Sequence, residues 1–194
     1  MRIYRHRCNT VASLEGVAPG EGVEFDLRAD GDRVIVAHDP FTDGPPLEDY
    51  LARVAGRPCI FNVKCDGIEE RALSLAARHR VDDLFLLDVS LPTAARLARG
   101  GERRFAVRWS EHEPAALALA WAGRASWLWV DCFTAWPDDA PTWSLLAQRY
   151  AVCLVSPELQ GHDAGLVPAW RRALGGLRVD AACTKRPDLW GGHP

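Results

Sequence analysis

The sequence predicts an α/β protein, a compact (β/α)8 TIM barrel filling residues 1–194 as one domain. Three observations lead there. Short apolar runs of strand character alternate with amphipathic helical runs from one end of the chain to the other. Strand-then-helix order makes successive strands parallel with helical crossovers, and about eight repeats suit a closed barrel better than an open sheet. The 194 residues are 48% hydrophobic, enough for the core of one domain, and no low-complexity tract or linker divides them. At roughly 24 residues per repeat the barrel is lean beside the typical ~250 residues, so helices must be short and loops spare.

The elements follow in order. Residues 2–7 (RIYRHR) form the first strand, and Asn9 or Thr10 caps a short helix ending at Leu14. The central stretch is 22–40, GVEFDLRADGDRVIVAHDP. At the two-residue period of a strand, Val23, Phe25 and Leu27 share one face, while Glu24, Asp26 and Arg28 share the other. Asp30, Gly31 and Asp32 turn the chain into a second extended run ending at His38 and Asp39. After the loop FTDGPP (41–46), a helix covers 47–54 and stops at Gly56. The alternation then gives strand 59–64, helix 67–80, strand 84–89, helix 92–99, strand 105–110, helix 114–122, strand 127–133, helix 142–150, strand 151–156, helix 166–174 and a last strand at 179–184.

Composition excludes several classes. A formal charge of -3 and a pI near 6.1 give no global attraction to nucleic acid or anionic membranes, so any phosphate binding must be local. The six cysteines lack metal-type Cys-x-x-Cys spacing, and reduced thiols are expected. Strand-like sequence begins at Arg2, leaving no room for a signal peptide, and no apolar run approaches the roughly 20 residues of a membrane span. A cytoplasmic protein is expected. Composition leaves the oligomeric state open.

In such a barrel, function sits at the carboxyl ends of the strands. There the chain offers His6, Arg7, Glu24, Asp26, His38, Asp39, Asn62 and Lys64 early on, and Asp88, Trp109, Asp131, Glu158 and Thr184 later. A strand that buries one face cannot slip register, so the polar set on the other face is held at fixed positions. Carboxylates that hold a hard cation, cations that meet phosphate oxygens, and paired imidazoles for proton transfer suggest chemistry on a phosphoryl group.

In these residues the chain resembles the glycerophosphodiester phosphodiesterase family, close in fold to phosphatidylinositol-specific phospholipase C. That family has, in order, a His-Arg-Gly strand end followed by Glu-Asn-Thr, a Glu-x-Asp strand, an Asp-Gly turn, a His-Asp strand end, a Glu-x-Lys strand and a Thr-Asp-x-Pro close. Here His6-Arg7, Asn9-Thr10, Glu24-Phe25-Asp26, Asp30-Gly31, His38-Asp39, Asn62-Val63-Lys64 and Thr184-Lys185-Arg186-Pro187 stand in that order. The resemblance implies a PLC-like phosphodiesterase barrel and a hydrolase of lipid metabolism acting on a glycerophosphodiester or related small phosphodiester. It makes His6 and His38 acid and base, Arg7 and Lys64 the phosphate contacts, and Glu24, Asp26 and Asn62 the ligands of a divalent cation, magnesium or calcium.

Departures from the family pattern define the alternatives. Asn62 replaces a glutamate, Cys8 replaces a glycine, the first loop is shortened, and the subdomain usually inserted after His-Asp shrinks to FTDGPP. Asn62 favours a second reading, a barrel without turnover that binds a phosphorylated ligand or protein. Arg28 supports a third, a metal-independent lyase with its guanidinium in the cation's place. Glu24 and Asp26 also stand open to plain ion pairing in a filled barrel mouth. Asp131 or Glu158 near later strand ends, or Asp39 swinging in, is available to compensate for the missing carboxylate. His79, His112, His162 and His193 read as structural, most tryptophans as core, and Trp136 and Trp190 as loop residues able to line a site.

Overall fold

The computed structural model describes residues 1–134, 136 and 139–191. His193 lies outside the described residues. Contacts group the chain into two compact units, Tyr4–Gly100 and Gly101–Pro194 together with Met1–Ile3.

The first unit carries strand β1 (Arg2–Arg5, which begins outside it), helix α1 (Val11–Leu14), β2 (Gly22–Asp30), β3 (Arg33–Val36), α2 (Leu47–Val54), β4 (Cys59–Val63), α3 (Glu69–Arg78), β5 (Leu84–Leu87) and α4 (Leu91–Arg99). β1, β2, β4 and β5 lie side by side in parallel, with β2 between β1 and β4. Thr10 caps α1 in a reciprocal box with Ser13, as Ser/Thr caps do. Gly22 is required where the chain enters β2, because a Cβ there would meet the Tyr4 ring at 2.5 Å and the Pro58 carbonyl oxygen at 2.8 Å. The odd residues of β2 form the apolar side: the Phe25 ring lies 4.9 Å from both Phe61 of β4 and Tyr50 of α2. That packing fixes the register Asp26↔Asn62 and holds the even residues in place.

The turn at Asp30–Asp32 closes a hairpin. β3 pairs antiparallel with the far end of β2, Leu27↔Val36 through Asp30↔Arg33, so it is the return arm of a hairpin and not a barrel strand. The two-residue turn at Gly31, with φ +56°, accounts for this, since a tight turn can only join antiparallel neighbours. The hairpin returns the chain so that the Ala37 amide donates to the Asp26 carbonyl at 3.0 Å, delivering His38 beside the acidic pair.

The second unit carries β6 (Ala106–Trp109), α5 (Ala115–Ala120), β7 (Trp127–Val130), α6 (Ala140–Ala147), β8 (Ala151–Val155), α7 (Val167–Ala173) and β9 (Ala181–Thr184). Its strands run parallel in sequence order. Eight parallel strands, each but the last followed by helix, realise the (β/α)8 alternation with β3 as an addition. Trp109, Trp143 and Trp170 are buried here, as their patterns predict. Trp190 is buried too and donates to Ser156 Oγ at 2.7 Å, which makes it core and not a site lining. Trp136 stacks on Trp143 with ring centroids 5.4 Å apart. All six cysteines are free thiols.

Candidate active site

Each of the seven residues singled out in the sequence enters one linked cluster in the first unit. Glu24 is fully buried in β2. Its Oε2 accepts from the Arg7 amide at 2.5 Å, its Oε1 accepts from Asn62 Nδ2 at 2.9 Å, and His6 Nε2 lies 3.9 Å from Oε2. Arg7 reaches this amide contact through a left-handed backbone, φ +54°, unusual for a residue with a Cβ. Asp26, also buried, faces Lys64 Nζ at 3.5 Å and Arg7 Nε at 3.9 Å. His38 completes the group: Arg7 Nη2 donates to its Nε2 at 2.6 Å, and its Nδ1 meets Asp39 Oδ1 at 2.8 Å. A guanidinium only donates, so Nε2 is the accepting nitrogen and the ring proton sits on Nδ1, aimed at Asp39.

Electrostatics follow from burial. Desolvation, reinforced by the neighbouring Asp26 charge, pushes the Glu24 carboxyl up from 4.5 to about 7, against the hydrogen bonds from Arg7 and Asn62. The hydrogen bond from His38 holds exposed Asp39 below its ordinary value. One cluster thus presents a buried carboxyl near its neutral point, a second carboxyl, two imidazoles and two cations.

Three residues given no role in the sequence-based site belong to it by contact. Asn9 grips Asp26 twice, its Nδ2 donating to Oδ2 at 2.7 Å and its Oδ1 accepting from the Asp26 amide at 2.9 Å. Asp88, at φ +61° just past β5, lies 3.0 Å from Lys64 Nζ, so Lys64 bridges two carboxylates. Asp39 orients His38. Asn9 and Asp39 stand inside the motifs already quoted. For Asp88 the signal was its place at a strand end.

Comparison with solved structures gives the fold its relatives. A protein classed as a glycerophosphoryl diester phosphodiesterase, from Agrobacterium tumefaciens strain C58, superposes with a TM-score of 0.71 at 18% identity, over 97% of this chain and 94% of its own. A glycerophosphodiester phosphodiesterase from the same strain gives 0.66 at 18% identity, over 97% and 98%. One from Thermotoga maritima gives 0.67 at 15% identity, over 97% and 96%. The chain has the fold of these phosphodiesterases. No family model and no curated protein matches it by sequence.

In that phosphodiesterase fold, the donor set decides whether a cation fits. Among the described residues, no three His, Cys, Asp or Glu side chains converge as a metal cluster. With Asn62 counted, two carboxylates and a neutral oxygen are available. Asn62 Oδ1 is buried without a hydrogen-bond partner, while Glu24 beside it is loath to ionise. A cation would satisfy both, and turning the Asn62 amide by half a rotation exchanges its oxygen for its nitrogen. The set fits a cation that accepts neutral oxygens, which describes calcium better than magnesium.

Arg28 is engaged with backbone beside the site: its Nε donates to the His38 carbonyl at 2.8 Å and its Nη1 to the Lys64 carbonyl at 3.0 Å. It ties the segment after β3 to the end of β4. The carboxylates of the second unit have their own partners. Asp131 pairs with Arg108 and accepts from Gln160 at 2.6 Å, and burial raises it to about 6. Burial works against ionisation of Glu158, but donors from Ser156, Thr184 and Lys185 outweigh it and bring the carboxyl below its ordinary value. His162 meets the Cys132 carbonyl at 3.1 Å and His112 packs on Phe133, both structural contacts.

Proposed function

We propose that this chain is a phosphoric diester hydrolase that cleaves a glycerophosphodiester or related small phosphodiester at the His6–Glu24–Asp26–His38 cluster. The observation that carries the reading is the convergence, in one unit, of two imidazoles, two cations and a buried carboxylate pair. Sequence motifs in family order and the shared fold support it.

Arg7 and Lys64 receive the phosphate. Both already face Asp26, so an arriving anion exchanges one carboxylate neighbour for another set of oxygens. Drawing the Arg7 guanidinium onto phosphate uncovers His38 Nε2, whose lone pair then accepts the proton of the attacking water or substrate hydroxyl as its oxygen bonds to phosphorus, while Asp39 holds the Nδ1–H in line. His6 Nε2, beside a carboxyl that exchanges protons near neutrality, supplies the proton to the leaving alkoxide. Glu24, Asp26 and Asn62 would hold a divalent cation, which when bound supplies Lewis-acid polarisation of a phosphoryl oxygen.

Turnover of glycerophosphocholine and of bis(p-nitrophenyl) phosphate, measured with calcium, magnesium or manganese, tests the proposal. His6→Ala and His38→Ala should each lower kcat by about 10²–10⁴-fold, the usual worth of a general acid or base. Undiminished rates in both variants refute the assigned roles. The hydrogen bond from Asn62 to Glu24 favours one other reading, a site that binds a phosphorylated ligand without turnover. Binding with no hydrolysis under any of the three cations would establish it.

A further inference from the structure

We propose that the cavity enclosed by β3, the start of α2 and α3 binds a small monocarboxylate with an apolar body, at a site separate from the charged cluster. None of its lining residues belongs to that cluster, so the inference stands whether or not the chain hydrolyses phosphodiesters.

The cavity holds about 190 Å³ and is lined by Arg33 and Val34 of β3, Pro46 and Glu48 at the start of α2, and Arg71 and Leu75 of α3. All six lie within the unit Tyr4–Gly100. Its walls are fastened to one another without a ligand. The Val36 amide donates to the Pro45 carbonyl at 2.9 Å, Ile35 bridges Pro46, and Glu48 of α2 meets Arg78 of α3 at 3.8 Å. Gly44 lies so close on the Val36 carbonyl that no Cβ would fit, which holds the incoming loop against β3. A space with walls already fixed is preformed, as ligand sites commonly are.

Charge at this cavity is not balanced. Arg71, Leu75 and Arg78 recur at i, i+4 and i+7 and so share one face of α3. Glu48, the one carboxylate among the lining residues, is taken by Arg78, and Arg33 is taken by Asp30. Among the described residues Arg71 makes no ion pair, so one guanidinium is left over in a chain of formal charge -3. A single uncompensated cation matches a carboxylate better than a phosphate monoester, which carries nearly two charges. The rest of the lining is apolar. Val34 and Leu75 are buried, and Pro46 is half-buried beside them. A fully polar anion would leave these side chains without contact, and a wholly apolar ligand would desolvate Arg71 without giving it a partner. An apolar cavity of about 150 Å³ is enough for benzene, so 190 Å³ admits a ring or short branched chain together with its carboxylate.

Titration with benzoate, read by calorimetry and by backbone amide NMR shifts, tests this against three other probes. Acetate keeps the charge without the ring, benzyl alcohol keeps the ring without the charge, and phenyl phosphate carries the second charge. Benzoate should bind at least about tenfold more tightly than each of them and move the amides of Val34 and Leu75. Arg71→Gln, at an exposed position, should weaken benzoate about tenfold while leaving Tm and the circular dichroism spectrum unchanged, and Arg71→Lys should recover part of the loss. Acetate or benzyl alcohol matching benzoate, binding indifferent to Arg71→Gln, or no saturable binding at millimolar benzoate overturns the site. Tighter phenyl phosphate binding at the same amides overturns the carboxylate in favour of a phosphate monoester. Shifts centred on His38 and Lys64 in place of Val34 and Leu75 overturn the location and put the anion in the charged cluster.

Discussion

Replacing Glu24 by glutamine should stabilise the protein, and increasingly so as pH rises. The carboxyl is fully buried and stays protonated to about pH 7, whereas in the unfolded chain it ionises near 4.5. A carboxyl with a raised folded value contributes stability that is complete below 4.5 and is lost as pH climbs through 7. At 1.36 kcal/mol per pH unit this amounts to about 3 kcal/mol between pH 4.5 and 8, which for a chain of this size is roughly 6–12 °C in Tm. Glutamine keeps the shape, can still accept from the Arg7 amide, and offers an N–H to the unpartnered Asn62 Oδ1 once the Asn62 amide turns. Thermal unfolding of both proteins in EDTA, at pH 4.5 and pH 8, reads the effect as a difference of differences, so other titrating groups cancel. A Tm gap between variant and parent that is the same at both pH values would show that Glu24 ionises like a solvated carboxyl, and the burial argument would be wrong.

Other outcomes follow from the same contacts. Calcium should raise the Tm of the parent at pH 8 and leave Glu24→Gln nearly unmoved, because the variant lacks the carboxylate that would hold the cation. Asn62→Glu, which completes three carboxylates, should lower the calcium or magnesium concentration needed for half-maximal Tm shift by about tenfold. Arg28→Ala should cost about 1–3 kcal/mol in urea unfolding by leaving the His38 and Lys64 carbonyls without their donor, with the calcium-dependent Tm shift preserved. A loss of that shift would place Arg28 in the cation's neighbourhood.

Much of the architecture was legible because strand and helix periods leave different marks. The run 47–54 is a helix to the residue, and the alternation of β2 correctly separates Phe25 from Glu24 and Asp26. A period of two is blind to direction, so the alternation marks β3 as extended, and the tight turn at Gly31 makes it the antiparallel arm of a hairpin. The clustering of His6, Arg7, Glu24, Asp26, His38, Asn62 and Lys64 followed from motif order. What those groups do to one another did not. Asn9 gripping Asp26, Asp88 sharing Lys64 and Arg28 turning to carbonyls depend on side-chain torsions and on left-handed backbone at Arg7 and Asp88, and neither leaves a periodic trace. Trp190 shows the same limit: a tryptophan in a loop reads as available, yet its indole is buried on Ser156.

β2 is hydrogen-bonded along both edges, to β1 on one side and to β4 on the other, and its outer end carries β3 as well. Its amides should therefore be among the last in the chain to exchange with deuterium, opening only when the molecule unfolds as a whole. A main chain so confined cannot breathe to admit a ligand. Whatever opens and shuts around Glu24 and Asp26 must be tips of side chains, moving in nanoseconds over a floor that stays still.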